Sequence, residues 1–218
     1  MKLDGYYHGL ETPRLMFRRL RLDDREAWQA FYRNNPNLEF LGMDTNRSVE
    51  VMADAWIRHQ LERYAAGAFG QLAVVKKSDG VLIGTAGFKW NDFEYAGELP
   101  LAAAMNLIPQ YWGEGYGKEA YIGLFNAVFE NGWPGAIYAF RHHKNHASGY
   151  LLRSLGLRDQ ETIELHGRLT TVAWITRETW LSLRELYSPA RTPGTRPAAP
   201  ERLSGSNSVF DWRRRRRG

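Results

Sequence analysis

Hydrophobic and polar residues along the first 187 positions follow two periods in turn, that of a strand and that of a helix. The predicted strands cover residues 15–21, 71–76, 81–89, 99–108, 136–140, 158–166 and 170–176. The predicted helices cover residues 25–33, 49–64, 118–129, 146–155 and 177–186. This alternation predicts an α/β layer architecture built on one mixed sheet. Lys77-Ser78-Asp79-Gly80 between two strand patterns is typical of a hairpin turn.

The composition predicts one domain followed by a basic tail. Residues 10–187 contain no linker-like break, whereas 188–218 are rich in proline, serine and arginine and are expected to be disordered. The tail carries eight arginines against Glu201 and Asp211, so the rest of the chain is close to neutral. The final run, Arg213–Arg217, is either a solvated end or a contact for RNA or an acidic surface.

The absence of cysteine limits the chemistry that this chain can perform. With no cysteine in the sequence, disulfides, thiolate metal sites and a cysteine nucleophile are all excluded. No apolar run reaches the roughly 20 residues that a membrane span needs. The first residues also lack the apolar segment of a signal peptide, so we expect a cytoplasmic protein.

A glycine-rich loop between a strand and a helix is the strongest candidate for a binding site. The apolar run Leu99–Ile108 ends at Pro109, and three glycines then fall within residues 113–117. A strand, a glycine loop and a helix aim main-chain N–H groups and the positive helix end at an anion. The glycine spacing does not fit a dinucleotide fold, and Glu119 stands where a nucleoside triphosphate loop needs Ser or Thr.

The sequence of this loop resembles the coenzyme A loop of the GCN5-related N-acetyltransferases (GNAT). The segment Tyr-Trp-Gly-Glu-Gly-Tyr-Gly-Lys-Glu-Ala at 111–120 is similar to the ribosomal-protein branch of that family, the RimJ/RimL type. Two further landmarks occur in the family's order, an opening strand at 12–20 and Asn-x-x-Ser at 145–148 followed by Leu-Gly-Leu at 155–157. The resemblance covers residues 10–185. It implies a mixed, mainly antiparallel central sheet flanked by helices.

The resemblance also implies the reaction and its co-substrate. An acetyl group would move directly from acetyl-CoA to a primary amine in a ternary complex, the acceptor being a protein N-terminal α-amine or a small amine. No metal is implied. The cofactor-binding residues that it implies are Asn106, Leu107, Ile108, Trp112, Gly113, Glu114, Gly115, Tyr116, Gly117, Lys118 and Asn145.

Ser148 is the candidate donor of a proton to the departing thiolate. The resemblance places it facing the thiol sulfur, while Asn145 would bond a pantetheine amide. Both residues could instead serve only as caps of the helix that follows. A tyrosine elsewhere in the family acts as the acid, but the matching position here is Leu152.

The general base is the least defined part of the predicted site. The position where relatives of this branch often carry a carboxylate is Ala102, and Glu98 at the start of the same strand is the candidate. Glu98 could equally be an ordinary strand-end residue, with water carrying the proton away. Trp90, at the end of a hairpin strand, is the candidate for lining the acceptor site, although core packing is the usual role of such a tryptophan.

Three histidines invite a metal interpretation. His142 and His146 have the i, i+4 spacing of helical ligands, with His143 beside them. They straddle a predicted loop with no carboxylate close by in sequence, so we expect a polar loop lining the substrate cleft.

A catalytically silent protein of the same fold, binding RNA or a partner through its arginine tail, is the alternative to the enzyme. The sequence leaves the acceptor open, as well as the choice between monomer and homodimer.

Overall fold

The computed structural model describes residues 9–43 and 46–187, which form one mixed sheet with helices on both faces. Within these residues the strands are β1 (Leu15–Arg18), β2 (Leu72–Lys76), β3 (Leu82–Trp90), β4 (Leu101–Leu107), β5 (Ile137–His142), β6 (Arg158–Leu165) and β7 (Arg168–Ile175). The α-helices are α1 (Asp24–Tyr32), α2 (Val49–Ala65), α3 (Tyr116–Glu130), α4 (His146–Ser154) and α5 (Arg177–Leu183). Short 3₁₀ helices cover Leu38–Leu41, Pro109–Tyr111 and Arg184–Tyr187.

The sheet has the order β1-β2-β3-β4-β5-β7-β6, and every neighbouring pair is antiparallel except β4 and β5. The predicted mixed, mainly antiparallel sheet is therefore confirmed. The parallel pair β4–β5 is joined only where Ala102 faces Tyr138. Beyond that pair both strands continue, to Leu107 and His142, without pairing to each other. The two strands therefore diverge and leave a cleft in the middle of the sheet.

Two apolar layers hold the helices against the sheet. One layer packs α3 and α5 on one face, with Phe125 and Trp180 fully buried. The other packs α1 and α2 on the opposite face, around Trp28 and Ile57. The core role expected for the tryptophans holds for Trp28 and Trp180, since neither is exposed to solvent.

Local signals explain where several elements begin. Ser48 caps α2, as predicted, because its hydroxyl accepts from the Val51 N–H at 3.4 Å. Strand β1 is shorter than predicted, since Asp24 accepts from the Arg21 N–H at 2.7 Å and turns the chain into α1. Helix α3 begins at Tyr116, two residues earlier than predicted, so its first turn belongs to the glycine loop.

The predicted basic tail, residues 188–218 with Arg213–Arg217, lies outside the described residues. In the part that the structure does describe, no helix is both long enough and apolar enough to cross a membrane.

Candidate active site

A cleft of about 440 Å³ opens between the diverging strands β4 and β5. Side chains on both faces of the sheet line it, from Ser148 and Tyr121 on the α3 side to Trp56 and Gln60 on the α2 side. The cleft therefore passes through the sheet and connects its two faces. This geometry lets two different molecules approach one point from opposite sides.

The main chain of β4 offers hydrogen-bonding groups to this cleft. The Ile108 N–H donates to the Ile83 carbonyl at 3.0 Å, so the pair formed by Gly84 and Leu107 is a non-hydrogen-bonded pair of the β3–β4 ladder. In such a ladder alternate residues turn their N–H and C=O away from the partner strand. The N–H groups of Met105 and Leu107 therefore face the cleft, whereas that of Ile108 belongs to the sheet.

The glycine loop follows β4 after the short 3₁₀ helix Pro109–Tyr111, and its shape depends on left-handed backbone. Gly113 and Gly115 have φ values of +82° and +80°, which side chains with a Cβ rarely adopt. Gly115 is the N-cap of α3, so the free N–H groups of the first helical turn point out beside it. The Trp112 indole donates to the Leu107 carbonyl at 2.8 Å and fixes the loop to the end of β4.

Gly117 has a different role, since it lets α3 approach β4 closely. A Cβ at this position would lie 3.3 Å from Leu151, 3.4 Å from Leu107 and 3.5 Å from Met105. The first turn of α3 thereby packs against the strand whose main chain lines the cleft. The three glycines of the predicted loop are thus explained by backbone conformation at two positions and packing at the third.

An ion pair that the sequence did not reveal ties the loop to β1. Glu119 accepts hydrogen bonds from the Thr12 hydroxyl at 2.6 Å, the Arg14 N–H at 2.8 Å and the Arg14 guanidinium at 2.6 Å. Arg14 also donates to the Glu114 carbonyl at 3.0 Å and lies over the Tyr116 ring. Burial raises the pKa of Glu119, but the hydrogen bonds from Thr12 and Arg14 outweigh it and hold this pKa below its ordinary value.

The remaining predicted loop residue, Lys118, is directed at the last described turn of the chain. Its amine lies over the Tyr187 ring, 5.0 Å from the centroid. The Lys118 main chain still belongs to the first turn of α3, so its N–H remains part of the helix N-terminus.

Asn145 and Ser148 stand at the start of α4, on the other wall of the cleft. The Asn145 side chain accepts from the Ser148 N–H at 3.0 Å, so the capping role considered from the sequence is present for Asn145. Ser148 and Leu152 line the cleft one helical turn apart. The geometry thus brings Ser148 to the cleft, where its hydroxyl could meet a ligand, and the catalytic role stays a prediction.

Asn106 belongs to a buried polar network on the α2 face of the sheet. Its side-chain amide donates to Gln71 Oε1 at 3.0 Å, and the Thr85 hydroxyl donates to the same oxygen at 2.6 Å. Gln60 completes the network by accepting from the Gln71 N–H at 2.9 Å. The Asn106 side chain thus lies on the face opposite to Ser148, and its predicted contact with the cofactor stays a prediction.

Glu98 and Trp90 do not lie among the described residues that line the cleft. Glu98 is exposed in a tight turn, where it exchanges main-chain hydrogen bonds with Tyr95. Trp90 faces the α3 side and packs edge-on against Trp133 at 5.6 Å between ring centroids. The structure therefore brings neither residue to the place that was predicted for it from the sequence.

The neighbour of Trp90, Lys89, lines the cleft instead. Successive strand residues point to opposite faces, so a shift of one position decides which side chain enters the cleft. Lys89 pairs with Ala102, the position where a carboxylate was expected. The protein atoms around its amine lower the pKa of Lys89, Arg63 lowers this pKa further, and Asp92 opposes the change.

The predicted polar loop does reach the cleft, and a second segment covers it there. His142 lines the cleft and stacks on Phe40, with 5.0 Å between the ring centroids. The Arg168 guanidinium donates to the Glu39 carbonyl at 2.9 Å, joining the β6–β7 hairpin to the 3₁₀ helix at Leu38–Leu41. Residues 9–43 and 46–187 contain no group of three or more His, Cys, Asp or Glu side chains placed to hold a metal ion.

Solved structures of acetyltransferases share this architecture. They include a GCN5-related N-acetyltransferase from Brucella melitensis, with a TM-score of 0.68, 14% identity, and coverage of 83% of this chain and 84% of that chain. RimJ from Mycobacterium smegmatis in complex with CoA-disulfide has a TM-score of 0.61 at 17% identity, covering 79% and 89%. The ribosomal-protein-S5-alanine acetyltransferase of Vibrio fischeri has a TM-score of 0.59 at 16% identity, covering 78% and 97%.

At these identities the likeness is one of fold, and it extends to the ribosomal-protein branch that the loop resembles. The sequence supplies independent support, because the family model described as the acetyltransferase (GNAT) domain matches residues 14–158. That match includes the opening strand, the glycine loop and Asn145–Ser148. The resemblance found in the sequence is thereby confirmed, and the chain belongs to the GNAT acetyltransferase family.

Proposed function

We propose that this protein transfers an acetyl group from acetyl-CoA directly to a primary amine. The observation that carries the proposal is the divergence of β4 and β5 next to the glycine loop. Together they provide an open strand edge, a helix N-terminus and a passage through the sheet. These are the three features that a long thioester with a phosphate-bearing end and a separate amine would need.

The residues present fit the chemical parts of acetyl-CoA. The N–H groups around Gly113–Gly117 and the first turn of α3 would hold the pyrophosphate without a charged side chain. The cleft-facing main chain of Met105 and Leu107 would bond the pantetheine amides as an added strand does. RimJ from Mycobacterium smegmatis, which shares this fold, forms a complex with CoA-disulfide, and this supports a coenzyme A site here.

Acetyl-CoA supplies an acyl group that is already activated as a thioester, so the protein has three tasks. A cleft-facing N–H of β4 would stabilise the negative charge that develops on the carbonyl oxygen as the amine nitrogen bonds to the acyl carbon. Ser148 would hand a proton, directly or through water, to the sulfur as the C–S bond breaks, and a proton from solvent would restore its hydroxyl. The proton that the amine loses would leave to solvent. Proximity in the cleft can supply ~7–11 kcal/mol toward the barrier.

Isothermal titration with acetyl-CoA tests this proposal, with two matched glycine variants. Gly113→Asp places a carboxylate in the glycine loop, where it would repel the pyrophosphate. Gly132→Asp is the control, since both glycines have φ +82° and open space around a Cβ, and Gly132 lies beyond the opposite end of α3. The two substitutions therefore introduce the same charge and the same backbone strain.

We expect saturable binding in the parent and in Gly132→Asp, and none in Gly113→Asp. The parent should then release free thiol from acetyl-CoA when a primary amine is added. A parent that binds no acetyl-CoA would exclude the enzyme and favour the catalytically silent alternative. Equal binding by both variants would instead show that the glycine loop does not hold the pyrophosphate.

A further inference from the structure

The charged and ionisable side chains that line the acceptor side of the cleft are all basic. They come from α2, β3, β5 and the β6–β7 hairpin, and the described lining includes no aspartate or glutamate. The six residues concerned are His59, Arg63, Lys89, His142, His166 and Arg168. Arg141 also borders the cleft, but it pairs with Asp159 at 2.8 Å, a carboxylate that it shares with Arg153.

Lys89, Arg63 and Arg168 form no ion pair in the described part of the chain, although the charge of Asp92 acts on Lys89 from a greater distance. The Arg63 guanidinium donates to the Phe69 carbonyl at 2.6 Å, and that of Arg168 donates to the Glu39 carbonyl. A main-chain carbonyl orients a guanidinium without cancelling its charge. By contrast, Arg58, which does not line the cleft, pairs with Asp54 at 2.7 Å. The cleft therefore holds positive charge that the described acidic groups offset only from a distance.

The phosphates of a bound coenzyme A are too distant to balance Lys89 and Arg63. Lys89 sits opposite Ala102, five strand residues before Leu107, where the glycine loop begins. At ~3.3 Å per residue this is a separation of about 17 Å along the strand. The guanidinium at the glycine loop itself is Arg14, and Glu119 already pairs with it. The charges of Lys89 and Arg63 thus belong to the end of the cleft away from the phosphates.

Building on the proposed acetyl transfer, we infer that the acceptor is an amine that also carries a carboxylate close to its amino group. Lys89, Arg63 and Arg168 are the groups that would bind the carboxylate, because charge-assisted hydrogen bonds from Arg and Lys are stronger than those between neutral groups. The same positive charge repels an ammonium and favours the neutral amine that attacks the thioester. The acceptor's own carboxylate then provides the attraction that no acidic side chain in the described lining supplies.

The size of the cleft limits the acceptor further. Its volume of about 440 Å³ has to accommodate both the reactive end of the thioester and the amine. The contacts of Phe40 with His142 and of Arg168 with the Glu39 carbonyl also cover the acceptor side. This leaves room for a free amino acid, or for the first residues of a peptide with an acidic side chain next to its terminus. Both sources present the same chemistry, a carboxylate beside a primary amine.

Matched acceptor pairs test this inference by calorimetric binding to the protein saturated with coenzyme A. The first pair is L-alanine and L-alaninamide, and the second is the dipeptide amides Ala-Glu-NH₂ and Ala-Gln-NH₂. Each pair differs in one carboxylate at nearly constant shape. We expect the acidic member of at least one pair to bind about 10- to 100-fold more tightly. The pair that shows the preference identifies whether the acceptor is a free amino acid or a peptide with an acidic residue next to its terminus.

Three variants locate the effect in the cleft. Lys89→Met and Arg168→Gln should each reduce the preference for the acidic member, because each removes one cation from the lining. Arg58→Gln is the control, since Arg58 lies on α2 but does not line the cleft. This variant should prefer the acidic member as strongly as the parent does. Circular dichroism checks that every variant is folded.

Two results would overturn the inference: equal or weaker binding of the acidic members, or no measurable binding of any of the four compounds. A preference that survives both cleft variants would overturn it as well. The proposed acetyl transfer is tested separately by the titration with acetyl-CoA. If acetyl-CoA binds while the acidic members show no preference, the carboxylate inference fails and the proposed function stands. If acetyl-CoA does not bind, the proposed function itself has failed.

Discussion

The two ends of β4 present different chemical groups to the cleft. At the end that leads into the glycine loop, the groups facing the cleft are main-chain N–H groups, and the nearby guanidinium of Arg14 is paired with Glu119. At the other end, around Ala102, the groups are long side chains such as Lys89 and Arg63 that form no ion pair among the described residues. One end depends on backbone shape, and the other depends on side-chain charge.

This difference explains how one fold can keep a constant co-substrate while its acceptors vary. Main-chain N–H groups do not change with the sequence as long as glycine preserves the loop. Side chains at the other end can be replaced one by one without disturbing that loop. Substitutions at the two ends should therefore separate cleanly into effects on acetyl-CoA and effects on the acceptor.

The largest effect is expected from Glu119→Gln, at the loop end. The substitution removes the charge that three hydrogen bonds from Thr12 and Arg14 converge on, at a side chain that is 14% exposed. We expect a loss of about 2–3 kcal/mol in the free energy of unfolding, and weaker acetyl-CoA binding. Urea denaturation and calorimetry measure the two effects. Unchanged values for both would show that this ion pair does not hold the loop.

The pH dependence of folding stability in the parent and in Glu119→Gln tests whether the Glu119 charge causes this loss. The folded protein holds the pKa of Glu119 below its ordinary value of 4.5. The carboxylate therefore stabilises the protein above that value, and the stabilisation is lost as the pH falls through the lowered pKa. The difference in stability between the parent and Glu119→Gln should shrink as the pH is lowered from about 6 to about 3. A difference that stays constant with pH would assign the loss to packing.

Ser148→Ala is expected to affect turnover rather than binding, because Ser148 is the candidate proton donor to the thiolate. We expect kcat to fall by about 100-fold, the lower end for a lost proton donor, since water can partly replace it. The Kd for acetyl-CoA should change little. Ser154→Ala is the control in the last turn of the same helix, where the hydroxyl donates only to the Leu151 carbonyl. Equal turnover in the two variants would leave Ser148 without a catalytic role.

Gln71→Met tests whether effects on the acceptor separate from effects on acetyl-CoA, through the polar network on the α2 face of the sheet. It leaves the Thr85 hydroxyl and the Asn106 amide without the oxygen that they share, which we expect to destabilise the protein by about 1–2 kcal/mol. The KM for the acceptor should rise while the Kd for acetyl-CoA stays the same. Gln160→Met on the exposed strand β6 is the control. A larger effect on acetyl-CoA than on the acceptor would contradict the separation of the two ends.

Trp112→Phe is expected to have the smallest effect. It removes the hydrogen bond from the indole to the Leu107 carbonyl, while the ring is 37% exposed and keeps most of its contacts. We expect a loss of about 0.5–1 kcal/mol in acetyl-CoA binding free energy. Trp90→Phe, at a tryptophan that is 40% exposed, should leave this binding unchanged. Calorimetry compares the two variants directly, and an equal loss in both would rule out the loop contact as its cause.

The loop end could be predicted from the sequence because its signals are local. Apolar periodicity, Pro109 and three glycines within five residues specify a strand, a turn and a helix start wherever they occur. The landmark at Asn145 is equally local, since its side chain caps the helix that it begins. The same patterns predicted the order of the helices and strands, and the structure differs from that prediction in where these elements begin and end.

The rest of the site could not be predicted because it depends on contacts between distant positions. The Arg14 and Glu119 side chains meet across 105 residues of sequence. Whether Lys89 or Trp90 enters the cleft is decided by sheet register, which the alternation of this strand does not fix. The segment Leu38–Leu41 has no periodicity of its own and is positioned by contacts with His142 and Arg168. Such pairs leave no local pattern in the sequence, because their members lie in distant segments.

The single pair that joins β4 to β5 has a consequence for the lifetime of the protein. Because β4 and β5 are paired at one point, the sheet should separate between these strands more readily than within either half. A ligand that bonds to both strands would oppose this separation and add RT ln(1 + [L]/Kd) to the folding free energy. A bound acyl donor would then slow cleavage by proteases that act on the opened form.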